Sequence, residues 1–289
     1  MSQVPENAAL VLEGGSMRAL FTAGVLDVWM EEGVEFPCVA GVSAGAMCGL
    51  NYVSHQPGRS AKINLEFAGD KRYVGLNNYV KNGSIFNFDF LFGEVSQTLL
   101  PFDYDAFAAS PKRFTAVSTD CRTAEPVYHE KGVSQDILLA SRASASMPLL
   151  APVVEVDGRP CLDGAGAVSI PVGWAMAEGY EKIVLVLTRQ RGFRKKPTSR
   201  ALSRAYDHAY RRQYPVLTAR LKTMPERYNA LQEKIDDWER EGRLFVLRPA
   251  EPVTVSRVET DRDKLRALYK KGREEARAQM DALEAYLTK

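Results

Sequence analysis

The stretch LVLEGGSMRALFTAGVL, residues 10–26, runs from an apolar segment through two adjacent glycines into a segment whose apolar residues recur at helical spacing. Residues 8–12 (AALVL) read as a strand that ends at glycine. Residues 18–31, with Leu20, Val25, Val28 and Trp29 on the helical period, read as the helix that follows. The unit is then repeated: CVAG (38–41) is a second short strand, and AGAMCGLNYVS (44–54) opens a helix on small residues.

Further along, RFTAVSTD (113–120) and EPVYHE (125–130) read as strands, and residues 134–144 as a helix. In PVVEVDGRPCLDGAG (152–166) the Asp157-Gly158 pair between alternating runs predicts a hairpin, and its outgoing strand delivers Asp163. A helix over 172–178 precedes KIVLVLT (182–188), whose unbroken apolarity suits a parallel strand covered on both faces. RLFVLRPA (243–250) reads as one more strand. Strands alternating with helices in this way predict an α/β layered core.

After Thr188 the chain turns basic. Eleven Lys and Arg between 189 and 222 are opposed only by Asp207, in a segment read as mostly helical. Residues 260–287 read as a charged helical tail. The expected organisation is one domain over 1–252, which includes the basic helical segment at about 190–240, followed by a tail over 253–289.

Composition bounds the function. A 45% hydrophobic, 26% charged chain of 289 residues is that of an ordinary folded protein, and a net charge of +2 does not call for a polyanionic partner. Nucleic acid is not an expected partner. The start MSQVPENAALVLEGG lacks a basic and apolar leader, and no apolar run reaches membrane-spanning length, so a cytoplasmic location is expected. Cys38, Cys48, Cys121 and Cys161 show no CxxC spacing, and His55, His129 and His208 no metal-ligand spacing; buried thiols and no catalytic metal or cofactor are expected.

Gly41-Val42-Ser43-Ala44-Gly45 is a GxSxG pattern between a predicted strand and a predicted helix, where a serine can sit on a sharp turn with its hydroxyl exposed. Gly14 and Gly15 lie at the other strand-to-helix turn, where free backbone N–H groups can hold an oxyanion. GxGxxG is absent, and the Walker pattern lacks its Lys-Ser/Thr end. For the base, two readings stand. His208 completes a Ser43, Asp163, His208 order, although it sits in the charged RAYDHAYRRQY; Asp163 in LDGAG is flanked by Gly164 and Gly166, which permit close approach to another backbone. Asp163 could equally cap its own turn.

LVLEGGSMRALFTAGVLD, GVSAGAM and LDGAG, in this order and at these separations, resemble the three motifs of the patatin-like phospholipase family over residues 8–188. SRASASMPLLAP and VSRVETDRDKLRALYKKG resemble a bacterial subgroup of it. The resemblance implies a three-layer α/β/α fold with a mostly parallel central sheet and a helical C-terminal region. It implies a Ser43-Asp163 dyad, an oxyanion hole around Gly14, Gly15, Ser16 and Arg18, a nucleophile elbow framed by Gly41 and Gly45, and hydrolysis of fatty acyl esters of lipids. The family's usual third glycine is replaced here by Ser16, and a further glycine by Ala19. If the turn needs a positive φ at 16, serine adds strain of about 1 kcal/mol. A non-catalytic lipid-binding or regulatory protein with an impaired oxyanion loop is therefore the alternative expectation.

SIFNFDFLFGEVSQTLLPFDYDAF (84–107) concentrates phenylalanines that could wall an acyl channel or pack beneath a long connection. The basic segment could meet anionic headgroups at a membrane surface or form a solvated helical face. Peripheral membrane contact is thus an expectation alongside a lipid or acyl-ester substrate.

Overall fold

A computed structural model describes residues 4–289; residues 1–3, which open the N-terminal stretch read above, lie outside the described residues. Eight strands form one sheet: β1 (Ala8–Leu12), β2 (Cys38–Val42), β3 (Arg113–Asp120), β4 (Pro126–Glu130), β5 (Val154–Val156), β6 (Arg159–Asp163), β7 (Lys182–Val186) and β8 (Leu244–Leu247). Their order is β5-β6-β3-β2-β1-β7-β8, with β4 also paired to β3. The pairs from β3 through β2, β1 and β7 to β8 are parallel, while β3-β4, β3-β6 and β5-β6 are antiparallel.

The helices are α1 (Leu20–Glu31), α2 (Ala44–Val53), α3 (Arg59–Phe67), α4 (Leu76–Asn82), α5 (Phe88–Phe90), α6 (Tyr104–Ala109), α7 (Ile137–Ser144), α8 (Val172–Ala177), α9 (Arg200–Tyr210), α10 (Pro215–Lys222), α11 (Met224–Arg240), α12 (Arg262–Ala278) and α13 (Met280–Thr288). A π-helical stretch, Leu91–Leu99, continues α5.

The alternation of β1 divides the core into two layers. Ala8, Leu10 and Leu12 pack with α1, α2, α3, α12 and α13, while Ala9 and Val11 pack with α8 and α11 on the other face. Every β1 side chain is fully buried, as a parallel strand covered on both faces requires. Each such Val or Leu contributes about 1.5–3 kcal/mol. The result is the three-layer α/β/α arrangement with a mostly parallel sheet and a helical C-terminal region.

Two local differences from the sequence reading have physical causes. Residues 16–19 form a separate 3₁₀ turn before α1, opened by Ser16 at φ +50° and held by the Arg18 N–H donating to the Gly15 carbonyl at 3.1 Å. The helix expected from 134 starts at Ile137, where the Asp136 carboxylate accepts the N–H groups of Leu138 and Leu139 and caps it. The hairpin turn has Asp157 at φ +50° and Gly158 at φ +74°, the left-handed pair that a tight β5-β6 connection needs.

Helix α12 lies across α1 at a glycine crossing. A Cβ on Gly272 would stand 2.1 Å from the Phe21 carbonyl, and one on Gly24 2.2 Å from the Tyr269 carbonyl. No helix among the described residues is long and apolar enough to cross a membrane.

Candidate active site

Two strands meet head to head along β3. The parallel β2 ends with Val42 opposite Val117, and the antiparallel β6 ends with Asp163 opposite Ser118, the next residue of β3. Ser43 and Asp163, distant in sequence, are thereby delivered to one spot. The approach is close enough that a Cβ on Gly164 would lie 2.2 Å from the Val117 carbonyl oxygen and 3.2 Å from Val42 Cγ1.

Ser43 sits between β2 and α2 at φ +56°, ψ −127°, a strained conformation held by its surroundings. Its N–H donates to Ser144 Oγ at 2.9 Å, and the Ser144 hydroxyl donates to the Val117 carbonyl at 2.6 Å, so α7 braces the turn. Only glycine fits on either side: a Cβ on Gly41 would come within 2.6 Å of the Ala46 nitrogen, and one on Gly45 within 2.6 Å of the Leu12 carbonyl.

Asp163 is buried, 4% exposed. One carboxylate oxygen accepts the Ala165 N–H at 2.9 Å, and the Ser43 side chain is its hydrogen-bonding neighbour. Burial pushes its pKa up from the ordinary carboxylate value; the Ala165 N–H, the Ser43 hydroxyl and the charges of Arg257 and Lys195 oppose that rise. The group both caps its own turn and faces the serine.

The glycine loop lies alongside. A Cβ on Gly14 would stand 2.9 Å from Ser43 Cβ, and one on Gly15 2.9 Å from Thr188 Oγ1. The N–H groups of Gly15 and Ser16 have no hydrogen-bond partner among the described residues. The Ser16 hydroxyl points to Met147 Sδ at 3.5 Å. Glu13, which the sequence reading passed over, anchors the loop: its carboxylate accepts the Thr188 N–H at 2.6 Å and the Tyr228 hydroxyl at 2.9 Å. An acid ending an apolar parallel strand was the available signal.

Ser16, Ser43 and Met147 form the boundary between two concave regions. On one side is an apolar cavity whose walls include Met47, Ile63, Phe86, Phe88, Phe92 and Phe102. The phenylalanine-rich stretch both lines this cavity and packs in the core, where Phe86, Phe88 and Phe102 are buried. On the other side is a cleft flanked by Arg18, Arg189, Lys195 and Arg257, with Asp163 and Glu13 its carboxylates. Arg18 is buried, 9% exposed; its guanidinium makes no hydrogen bond or ion pair among the described residues, and its Nε is buried without a partner. Burial and then the charges of Arg189 and Arg257 hold its pKa down to about 10.

The histidines lie elsewhere. His208 is exposed on α9 and is not among the residues bordering the cleft; His129 is buried with Nε2 2.8 Å from Ser118 Oγ; His55 is exposed beside Glu35. The four cysteines are buried and unpaired. No cluster of three or more His, Cys, Asp or Glu side chains that could hold a metal occurs among the described residues.

The chain is 30% identical over 189 residues to the uncharacterized protein YjjU of Escherichia coli (strain K12), an alignment covering 64% of this chain and 52% of that protein. It therefore spans about half the length of that curated relative. The crystal structure of VipD from Legionella pneumophila superposes with a TM-score of 0.46 at 13% identity, covering 98% of this chain and 67% of that one. Residues 214–288 match a domain of unknown function (DUF6363). Residues 10–176, which carry β1, the glycine loop, Ser43 and Asp163, match the patatin-like phospholipase family, and the chain belongs to that family.

Proposed function

We propose that the protein is a serine hydrolase of lipid acyl esters that works through a Ser43-Asp163 dyad. The observation that carries this reading is the convergence of β2 and β6 on β3, which puts a strained serine against a buried carboxylate at the mouth of an apolar cavity. Family membership supports the same substrate class.

Ser43 Oγ attacks the acyl carbonyl while Asp163 accepts its proton. The N–H groups of Gly15 and Ser16 take the developing oxyanion; donors of this kind contribute about 3–4 kcal/mol each. The tetrahedral intermediate collapses as Asp163 returns the proton to the leaving alcohol, and an acyl-serine remains with its chain in the apolar cavity. Asp163 then deprotonates a water that attacks the acyl-serine, releasing fatty acid and restoring Ser43. The burial that raises the Asp163 pKa makes it a stronger base than an exposed aspartate.

The test is fluorophosphonate labelling together with release of acid from a short-chain p-nitrophenyl ester. Wild type is expected to label and turn over, Ser43→Ala to do neither, and Asp163→Asn to lose at least about a thousandfold in kcat. A folded wild type that neither labels nor turns over would support the non-catalytic lipid-binding alternative, which the strained Ser16 in the oxyanion loop favours.

A further inference from the structure

Beyond residue 188 the chain sends two basic side chains back to the nucleophile. Lys195 lies in the connection between β7 and α9, and Arg257 in the connection between β8 and α12. Both border the cleft that begins at Ser43. Lys195 is fixed by its main chain: its N–H donates to Asn229 Oδ1 at 2.8 Å, and Asn229 Nδ2 donates to the Lys195 carbonyl at 2.9 Å. Its ammonium rests on the Tyr228 ring at 3.7 Å and makes no ion pair among the described residues. The Arg257 side chain is exposed and likewise unpaired, while its carbonyl accepts the Met17 N–H beside the glycine loop at 3.5 Å.

Arg18 joins them on the same cleft with its buried, unpartnered guanidinium. Arg189 adds a fourth charge, steadied by a bond to the Val253 carbonyl at 2.7 Å. The two carboxylates of the cleft are engaged by other groups: Glu13 by Thr188 and Tyr228, Asp163 by Ala165 and Ser43. The four cations of the cleft outnumber these two carboxylates, each of which is already hydrogen-bonded within the protein. Four cations thus face a space that lies across Ser43 from the apolar cavity.

We infer that Lys195 and Arg257, together with Arg18, form a subsite for a phosphate-bearing leaving alcohol without a compensating ammonium, so that the protein selects anionic glycerophospholipids over zwitterionic and neutral esters. The inference rests on the hydrolase reading above. An ester carbonyl at Ser43 would have its acyl chain in the apolar cavity and its phosphate among the cations, where charge-assisted bonds to the unpaired guanidinium form without displacing an existing partner. A choline or ethanolamine headgroup would bring a fifth positive charge into the same cleft. The basic loop and the segment after β8, both outside the 10–176 match, would then give the C-terminal part of the chain a role in substrate choice.

Water-soluble dihexanoyl lipids test this in two ways. In the first, wild type turns over dihexanoyl phosphatidic acid, dihexanoyl phosphatidylcholine and a neutral p-nitrophenyl ester. The expected kcat/KM ratio of anionic to zwitterionic lipid is at least tenfold. It should fall at least tenfold in Lys195→Gln/Arg257→Gln and persist in the charge-conserving Lys195→Arg/Arg257→Lys, which controls for folding. In the second, titration calorimetry on Ser43→Ala measures binding of the same two lipids without turnover, with the same expected preference and the same loss.

Turnover of the neutral ester with equal rates on both lipids, or equal binding of both, would overturn the subsite and leave the hydrolase standing. Absent turnover with retained anionic binding would overturn the hydrolase reading and support the subsite. Binding of inorganic phosphate as tight as that of the phosphatidic acid would assign the cleft to a free anion and overturn the leaving-group inference.

Discussion

Gly14 and Ser43 touch: a Cβ built on Gly14 would lie 2.9 Å from Ser43 Cβ and 2.9 Å from the Val42 carbonyl oxygen. The two strand-to-helix turns therefore act as one unit, and neither side of the contact is the free end of a flexible chain. Gly14→Ala is expected to push the glycine loop off Ser43. A displacement of this kind costs about a hundredfold in kcat, and the overpacking about 1–3 kcal/mol in stability. Ester kinetics beside urea unfolding read both, and an alanine variant with wild-type kcat would show that the loop does not need this contact.

Asp163 links activity and stability with opposite signs. In the dyad proposed above its carboxylate must be ionised to act as base, so kcat/KM should fall as pH drops through a value above the ordinary aspartate value. The folded-state pKa is raised above the unfolded one, so the native state holds this proton more tightly. Stability is then greatest below the unfolded value and is lost as pH rises through the folded one. Asp163→Asn should accordingly melt higher than wild type at neutral pH while losing turnover, with the advantage vanishing at low pH. Thermal melts across that range check it; a variant that melts lower at every pH would mean the carboxylate stabilises the fold.

The elements that local chemistry dictates were legible in the sequence. β1 and β7 are unbroken apolar runs, Asp157-Gly158 supplies two left-handed residues, and Gly41 and Gly45 mark a turn that no side chain could share. The meeting of β2 and β6 on β3 was not legible, because register between strands more than a hundred residues apart depends on which side of β3 each occupies. Ser144 read as one small residue in SRASAS, yet its hydroxyl bridges Ser43 and Val117. The basic run after Thr188 opens with a non-helical stretch, 187–199, before α9, α10 and α11 supply the mostly helical character that its composition predicts. A charge count does not tell which cations turn inward, and Lys195 does so because Asn229 holds its backbone.

Tyr269 ties α12 to α1 through a buried acid. The Asp27 carboxylate accepts the Tyr269 hydroxyl at 2.8 Å on one oxygen and the Gly58 N–H at 2.8 Å on the other. Tyr269→Phe leaves that oxygen without its partner at a cost of about 1–3 kcal/mol. Burial already raises the Asp27 pKa, and the tyrosine is among the groups that oppose the rise. Its removal raises the folded value further, so the deficit should widen as pH climbs through the carboxylate range and narrow where Asp27 is protonated in both proteins. Urea unfolding at acidic and neutral pH gives the comparison, and a deficit independent of pH would mean that the loss is one of packing.

Ser16 occupies φ +50° where glycine would be at ease. An L-residue there costs about 1–2 kcal/mol, and glycine would relieve it while adding about 0.4–1 kcal/mol of unfolded-chain entropy. The two nearly cancel, so Ser16→Gly should leave stability within about 1 kcal/mol of wild type. The backbone N–H survives the change, and the hydroxyl gives up only its 3.5 Å contact with Met147 Sδ, so kcat should stay within about threefold. Ser16→Val puts a β-branched residue at the same φ, which the turn accommodates only by moving; kcat should drop by about a hundredfold with a smaller change in KM. The pair separates backbone from side chain: a glycine variant more than about tenfold faster than wild type would identify serine as the brake on the proposed oxyanion loop, and a valine variant as fast as wild type would remove the loop from the reaction.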